Sequence, residues 1–201
     1  IKININKEGF YRAGGANLEI QTNAAKEIKP LVLEERGNLK SINGISIASN
    51  FLKKAQVAER QAKSTRKILE SELKNYNIKI KKEYVESLCP GSGILLWANF
   101  DNCILGYDAI GELGKPSEKV GEEAASGLIS QLKTNATIDK FMSDQILVYL
   151  ALAKEKSIVR VPELTEHAKT NMWLIQKFLD VDFKVKGNVI EVISYDRPGR
   201  R

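Results

Sequence analysis

An α+β fold is predicted for this chain from three observations. Apolar and polar residues alternate at both ends, in Ile1-Lys2-Ile3-Asn4-Ile5 and in "VDFKVKGNVIEVI", the period of strands with one covered face. Between the ends, several segments place apolar residues every three or four positions, the period of helices with one buried face. Helices and mostly antiparallel strands come in groups, which suggests helices packed on sheet faces.

The elements follow in order. Ile1, Ile3 and Ile5 alternate with Lys2, Asn4 and Asn6, and the pattern resumes through Leu18 and Ile20 after "GFYRAGGA", so the chain opens on a β-hairpin. A second extended segment runs from Leu39 to Ala48. "NFLKKAQVAERQAKSTRKILESELKNY" then carries Phe51, Ala55, Ala58, Ala62, Thr65, Leu69 and Leu73 at helical spacing, which predicts a long amphipathic helix capped by Asn50. Extended runs at "NIKIKKEYV", "GILLWANF" and "NCILGYDA" lead into "PSEKVGEEAASGLISQLK", where a proline, a serine and early acids mark a helix start. This middle section is therefore a β-α-β-β-β-α unit. A further helix is expected in "ATIDKFMSDQILVYLALA", with Thr137 as cap and Leu147, Leu150 and Leu152 buried. The last helix starts among the polar, capping-type residues Thr165, Glu166, Thr170 and Asn171 and carries Trp173, Leu174, Ile175, Phe178 and Leu179 at helical spacing. A closing hairpin turns at Gly187-Asn188, and the tail "YDRPGRR" is a solvated basic end.

The composition, 43% hydrophobic and 28% charged over 201 residues, suits a globular protein of one large or two small domains. No run approaches the roughly 20 apolar residues of a membrane span. The start lacks a signal-peptide core, so the expected location is cytoplasmic. Cys89 and Cys103 are too few for a disulfide framework and are expected as thiols. A net charge of +6 favours an anionic partner, although a modest lysine excess is common on soluble proteins.

Four segments carry chemistry. "CPGSGILLWA" holds a Gly-x-Gly but runs into a strand without the lysine or the helix of a phosphate loop, so it is a turn. The lysines at 53–54 and 79–82 suit RNA phosphates and suit a solvated face equally. In "KFMSDQI", Phe141, Asp144 and Gln145 share one helix face. Such a face can stack a nucleobase and hydrogen-bond its sugar, while spacing alone favours a half-buried phenylalanine with solvated neighbours. His167, the only histidine, sits at a helix start. There the positive end of the peptide dipoles disfavours the imidazolium and the free N–H groups attract phosphate. A neutral imidazole is a nucleophile, and Glu166, Thr170 or Asn171 can fix its tautomer. From position alone, a lone histidine is more often structural.

"LTEHAKTNMWLIQKFL", with "DKFMSDQILVYLALA", "GFYRAGGA", "LVLEERG" and "GKPSEKVGEEAA", resembles the RNA 3'-terminal phosphate cyclases in matching order over the whole chain. The resemblance implies a ligase that turns an RNA 3'-terminal phosphate into a 2',3'-cyclic phosphate with ATP, releasing AMP and pyrophosphate through a histidine adenylate. It puts His167 at the nucleophile's position and Phe141, Met142, Ser143, Asp144 and Gln145 at the ATP site, with Phe141 against adenine. It implies RNA and ATP as partners and a divalent metal, magnesium or manganese, whose ligands are unknown. It also implies large-domain units of two helices on a four-stranded sheet, interrupted by a thioredoxin-like βαβββα insert. The expected division is residues 1–44 in the large domain, 45–135 in the insert and 136–201 in the remainder of the large domain. Two features depart from the family. Arg12, Ala13, Gly14, Gly15 and Ala16 replace a proline, a basic residue and three glycines, and the N-terminal portion that supplies a metal-binding acid and several arginines has no counterpart. The alternative within the fold is a non-catalytic, RNA-binding cyclase-like protein of ribosome assembly.

Overall fold

The structure, a computed structural model, describes residues 1–74 and 76–195; of the basic tail only Tyr195 lies inside the described residues. The elements are β1 (Lys2–Lys7), β2 (Asn17–Gln21), β3 (Val32–Leu33), β4 (Leu39–Ser49), α1 (Val57–Glu72), β5 (Ile78–Val85), β6 (Ser92–Phe100), β7 (Ile104–Ile110), α2 (Ser117–Leu132), α3 (Met142–Gln145), α4 (Leu147–Leu152), β8 (Ser157–Arg160), α5 (Glu166–Phe178), β9 (Val181–Lys186) and β10 (Val189–Ser194). Two compact units form. One holds Ile1–Ala24, Lys40–Asn99 and Gly106–Ser130; the other holds Ala25–Leu39, Phe100–Leu105 and the chain from Gln131 onward.

In the first unit, β1 and β2 pair antiparallel as the expected hairpin. Its turn keeps two glycines, Gly14 and Gly15, both at positive φ, where side chains other than glycine are strained. The middle section has the predicted βαβββα order, with a sheet ordered β5-β4-β6-β7. β4 and β5 are parallel, from Ile42 opposite Ile78 to Ser49 opposite Val85. A parallel pair needs a long crossover, which α1 supplies. Alternate residues bury one face of the sheet, among them Ile42 and Ala48 of β4, Ile94 and Leu96 of β6, and Ala109 of β7. The helices cover this face. Ser46 donates to the Ala58 carbonyl of α1 at 2.9 Å, and Gln61 of α1 donates to Ser92 at 3.0 Å. A Cβ on Gly121 would stand 2.5 Å or less from the Gln61 carbonyl oxygen, at 2.3 Å, so only glycine lets α2 approach α1 this closely. Gly91, from the Gly-x-Gly, lies against the Phe10 ring and enters β6 as the expected turn.

Asn50 does not cap the long helix. It opens a 3-10 turn, Asn50–Leu52, its amide donates to Glu86, and α1 begins only after Gln56 at φ 51. Phe51 is consequently exposed and does not join the buried stripe.

The second unit has a sheet ordered β3-β8-β10-β9. β3 runs parallel to β8, and β10 is antiparallel to both β8 and β9. Leu147 and Leu150 of α4 and Ala168 and Met172 of α5 share a core with Val159, Ile190 and Val192. The unit thus sets two helical layers, α3–α4 and α5, on four strands, and the βαβββα section interrupts it between β3 and α3. The Thr137 hydroxyl donates to the Leu33 carbonyl at 2.9 Å, so the chain leaves and returns at one place. Thr137 is therefore a clasp between strands and no helix cap. The expected single helix is two short ones, and Leu152 is exposed on the second. β4 is continuous from Leu39 to Ser49, so a boundary at residue 45 falls inside a strand.

Cys89 and Cys103 are free thiols, and burial pushes Cys103 up from its ordinary value. Among the described residues, no helix is long and apolar enough to cross a membrane.

Candidate functional site

The first turn of α5 is built by its cap. Thr165 is extended, and its hydroxyl accepts the Ala168 N–H at 3.1 Å, which satisfies one of the N–H groups a helix start leaves open. Ala168 and Met172 face the core, while Trp173, Leu174 and Phe178 are exposed. His167, one position before Ala168, points away from the core with 86% of its side chain exposed. Glu166 beside it accepts from Lys169 at 2.6 Å.

α3 packs beside this turn. Phe141 and Ile146, which flank it, are both right-handed helical, so the backbone from 141 to 146 is one short helical run. Phe141, Asp144 and Gln145 lie along its outer side, as their spacing predicts, with Phe141 43% exposed. Met142 is exposed too, and its N–H donates to the Asp139 carboxylate at 2.8 Å. Ser143 is fully buried and donates to the Asp139 carbonyl at 2.9 Å, so its side chain holds the turn and is not presented outward.

The junction of α3 and α5 brings Asp144 to His167: Oδ2 stands 3.8 Å from Nδ1. That is an ion-pair distance for a charged ring and beyond a hydrogen bond. Asn171 braces the junction by donating to the Asp144 carbonyl at 3.2 Å. Of the groups expected to fix the imidazole, Glu166 is turned to Lys169 and Asn171 to the α3 backbone. Asp144 is the acid at the ring. No spacing signals this, because the two residues meet only through the packing of α3 on α5.

Comparisons with known proteins identify relatives of the chain. The sequence model of the RNA 3'-terminal phosphate cyclase insert domain matches residues 34–133. An RNA 3'-terminal phosphate cyclase of Pyrococcus furiosus is 43% identical over 190 residues, covering 94% of this chain and 54% of the relative. That of Thermococcus onnurineus is 41% identical over 199 residues, covering 99% and 55%. That of Pyrobaculum aerophilum is 38% identical over 204 residues, covering 98% and 58%. The chain belongs to the RNA 3'-terminal phosphate cyclase family. It spans about half the length of the curated cyclases it matches. The cyclase insert match begins at Glu34, directly after β3, and so takes in all of β4. Among the described residues, no group of three or more His, Cys, Asp or Glu side chains is placed to hold a metal ion.

Proposed function

We propose that this chain acts in the ATP-dependent conversion of an RNA 3'-terminal phosphate into a 2',3'-cyclic phosphate, with His167 as the covalent nucleophile. The observation that carries the reading is an exposed imidazole on the first turn of a 13-residue helix, with a carboxylate 3.8 Å from Nδ1. Asp144 biases the proton to Nδ1, which leaves the Nε2 lone pair for attack. The helix start favours an anionic phosphate beside it. Phe141, 43% exposed beside the neighbouring α3, offers an aromatic ring for adenine.

His167 Nε2 attacks the α-phosphorus of ATP, a P–N bond forms and pyrophosphate leaves. The α5 N–H groups stabilise the charge that develops on the phosphoryl oxygens. A 3'-phosphate oxygen of the RNA then takes the AMP from His167, giving an activated phosphoanhydride. The adjacent 2'-hydroxyl displaces AMP and closes the cyclic phosphate.

The test is an intact mass after incubation with ATP and magnesium, with the residues of a curated relative that this chain does not cover supplied as a second polypeptide. One AMP should be added, through a bond cleaved by acid and stable to alkali. His167→Asn should abolish it without unfolding, since substitution at so exposed a position costs within about 0.5 kcal/mol. Adenylation of the Asn variant, or an adduct on lysine, overturns the mechanism and returns the protein to the RNA-binding alternative.

A further inference from the structure

We propose that the helix-free face of the β5-β4-β6-β7 sheet is a binding surface for single-stranded RNA, with Trp97 as its stacking platform and Lys79 and Lys81 as its phosphate contacts. The choice of RNA over other anionic strands rests on the function proposed above; the surface itself is argued independently of His167.

Strand alternation defines the face. Even-numbered residues of β4 and β6 point to α1 and α2, as Ser46, Ser92 and Leu96 show. The odd-numbered ones therefore point the other way. The register follows from the contacts between β4 and β6. Ser49 donates its N–H to the Gly91 carbonyl, and a Cβ on Gly44 would meet Leu96. Antiparallel stepping then sets Trp97 beside Asn43, which is itself opposite Lys79 of β5. The next row places Leu95 beside Ile45, which is opposite Lys81.

The composition of this face is unusual for a solvated one. Leu95 is 46% exposed and Trp97 is half-buried, so an aliphatic side chain lies open on a central strand beside an indole that is accessible in part. Two amides stand beside them: Asn43 and Asn99 each donate to the Ser41 hydroxyl at 3.1 Å, which fixes their side chains where they can meet base edges. Lys79 and Lys81 are exposed along the edge strand, and Lys81 pairs with its neighbour Glu83. An aromatic plane flanked by amides and bounded by cations is the chemistry of single-strand recognition, where stacking tolerates any base and lysines follow the backbone.

Charge is segregated in the same sense. From Lys53 to Lys82 the chain has ten lysines and arginines against three acids, and from Glu83 to Glu123 eight acids against two lysines. The first stretch forms α1 and most of the β5 edge, and the second includes β6, β7 and the first two turns of α2. A polyanion is thus attracted to the β5 edge and repelled at the β7 edge, where Asp108 lies on the open face. That polarity gives a strand one side from which to cross.

The experiment uses the 201-residue chain and a short fluorescein-labelled uridine oligonucleotide ending in a 3'-hydroxyl, without ATP, so that its result does not depend on adenylation or cyclisation. Anisotropy should show binding that weakens with salt. Trp97→Ala should weaken it about tenfold or more, with Trp97→Phe recovering most of the loss. Lys79→Ala with Lys81→Ala, both at exposed positions that the fold does not need, should lower the salt slope by about 1.4. In a Trp173→Phe background the emission of the remaining tryptophan, Trp97, should be quenched by the oligonucleotide. Wild-type affinity in the lysine double variant and in Trp97→Ala, together with unquenched emission, overturns the proposal. So does absence of binding at low salt, and binding of an acidic peptide as tight as that of the RNA reassigns the face to a protein partner.

Discussion

Asp144→Asn tests whether the carboxylate beside His167 contributes to nucleophilic attack. As Nε2 bonds to phosphorus, the ring gains positive charge, which a carboxylate 3.8 Å from Nδ1 stabilises. At that distance two unit charges interact by about 1 kcal/mol in a water-like medium and about 4 kcal/mol at an effective dielectric near 20. His167 is 86% exposed and Asp144 25%, which draws the value toward the water limit, to about 1–2 kcal/mol. The rate of AMP transfer to His167 should therefore fall roughly 5- to 30-fold. Asparagine keeps the size of the side chain, and the brace from Asn171 goes to the backbone carbonyl of residue 144, so the α3–α5 junction persists. Glu166→Gln is the control, because that carboxylate is turned to Lys169, and it should change the rate by less than about twofold. The assay is quench-flow transfer of labelled AMP, with the uncovered residues of a curated relative supplied as a second polypeptide. A rate for Asp144→Asn equal to that of Glu166→Gln would refute the reasoning.

Phe141→Ala should weaken ATP binding by about 1–3 kcal/mol if the ring stacks on adenine, and Phe141→Leu should recover little; calorimetry showing unchanged affinity removes Phe141 from the site. Gln61→Leu should lower the stability of the first unit by about 2–4 kcal/mol, because it breaks the bonds with Ser46 and Ser92 and leaves the Ser92 hydroxyl buried. Adding Ser92→Ala should restore about 1 kcal/mol in urea unfolding, and a further loss would contradict the account. The Tyr84 hydroxyl, 2.5 Å from Glu59, is the main cause holding that carboxyl below its ordinary value. Stability from this pair is complete above the ordinary glutamate range and is lost as pH falls through the lowered folded value. Tyr84→Phe should move the Glu59 titration upward in a carbon-13 pH series and flatten the acid limb of stability; an unmoved titration excludes the bond as the cause. Replacing residues 34–135 by a short Gly/Ser linker should leave the β3-β8-β10-β9 sheet folded with α4 and α5, since Leu33 and Thr137 already touch. Insolubility of that variant beside a soluble parent counts against the division, and cooperative unfolding by circular dichroism supports it.

Elements with strong periods were legible. The opening hairpin, the βαβββα order, the Thr165 cap and the Gly187-Asn188 turn all rest on local signals: alternation, a capping hydroxyl and a glycine at φ 61. β3 and β8 left no such trace. β3 has two residues, and three of the four residues of β8 are buried, so neither shows alternation. The start of α1 was misplaced because the left-handed geometry at Gln56 has no glycine or asparagine to announce it. At the candidate site, the position of His167 followed from the cap and the helix period. Its distance to Asp144 did not, because residues 23 apart meet only through the docking of two helices.

The clasp between Leu33 and Thr137 also bears on the order of folding. β3 must find β8 across more than 120 residues of chain, and closing a loop of that length in an unfolded chain is slow because its entropy is lost before contacts form. Once the inserted section has folded, its ends lie side by side and the effective loop shrinks to the roughly 20 residues on its far side. Loop-closure entropy scales with the logarithm of length, so this shortening is worth about 1.6 kcal/mol. An inserted section that folds first would on this account act as a nucleus for its host, bringing the two strands of a parallel pair within reach of each other.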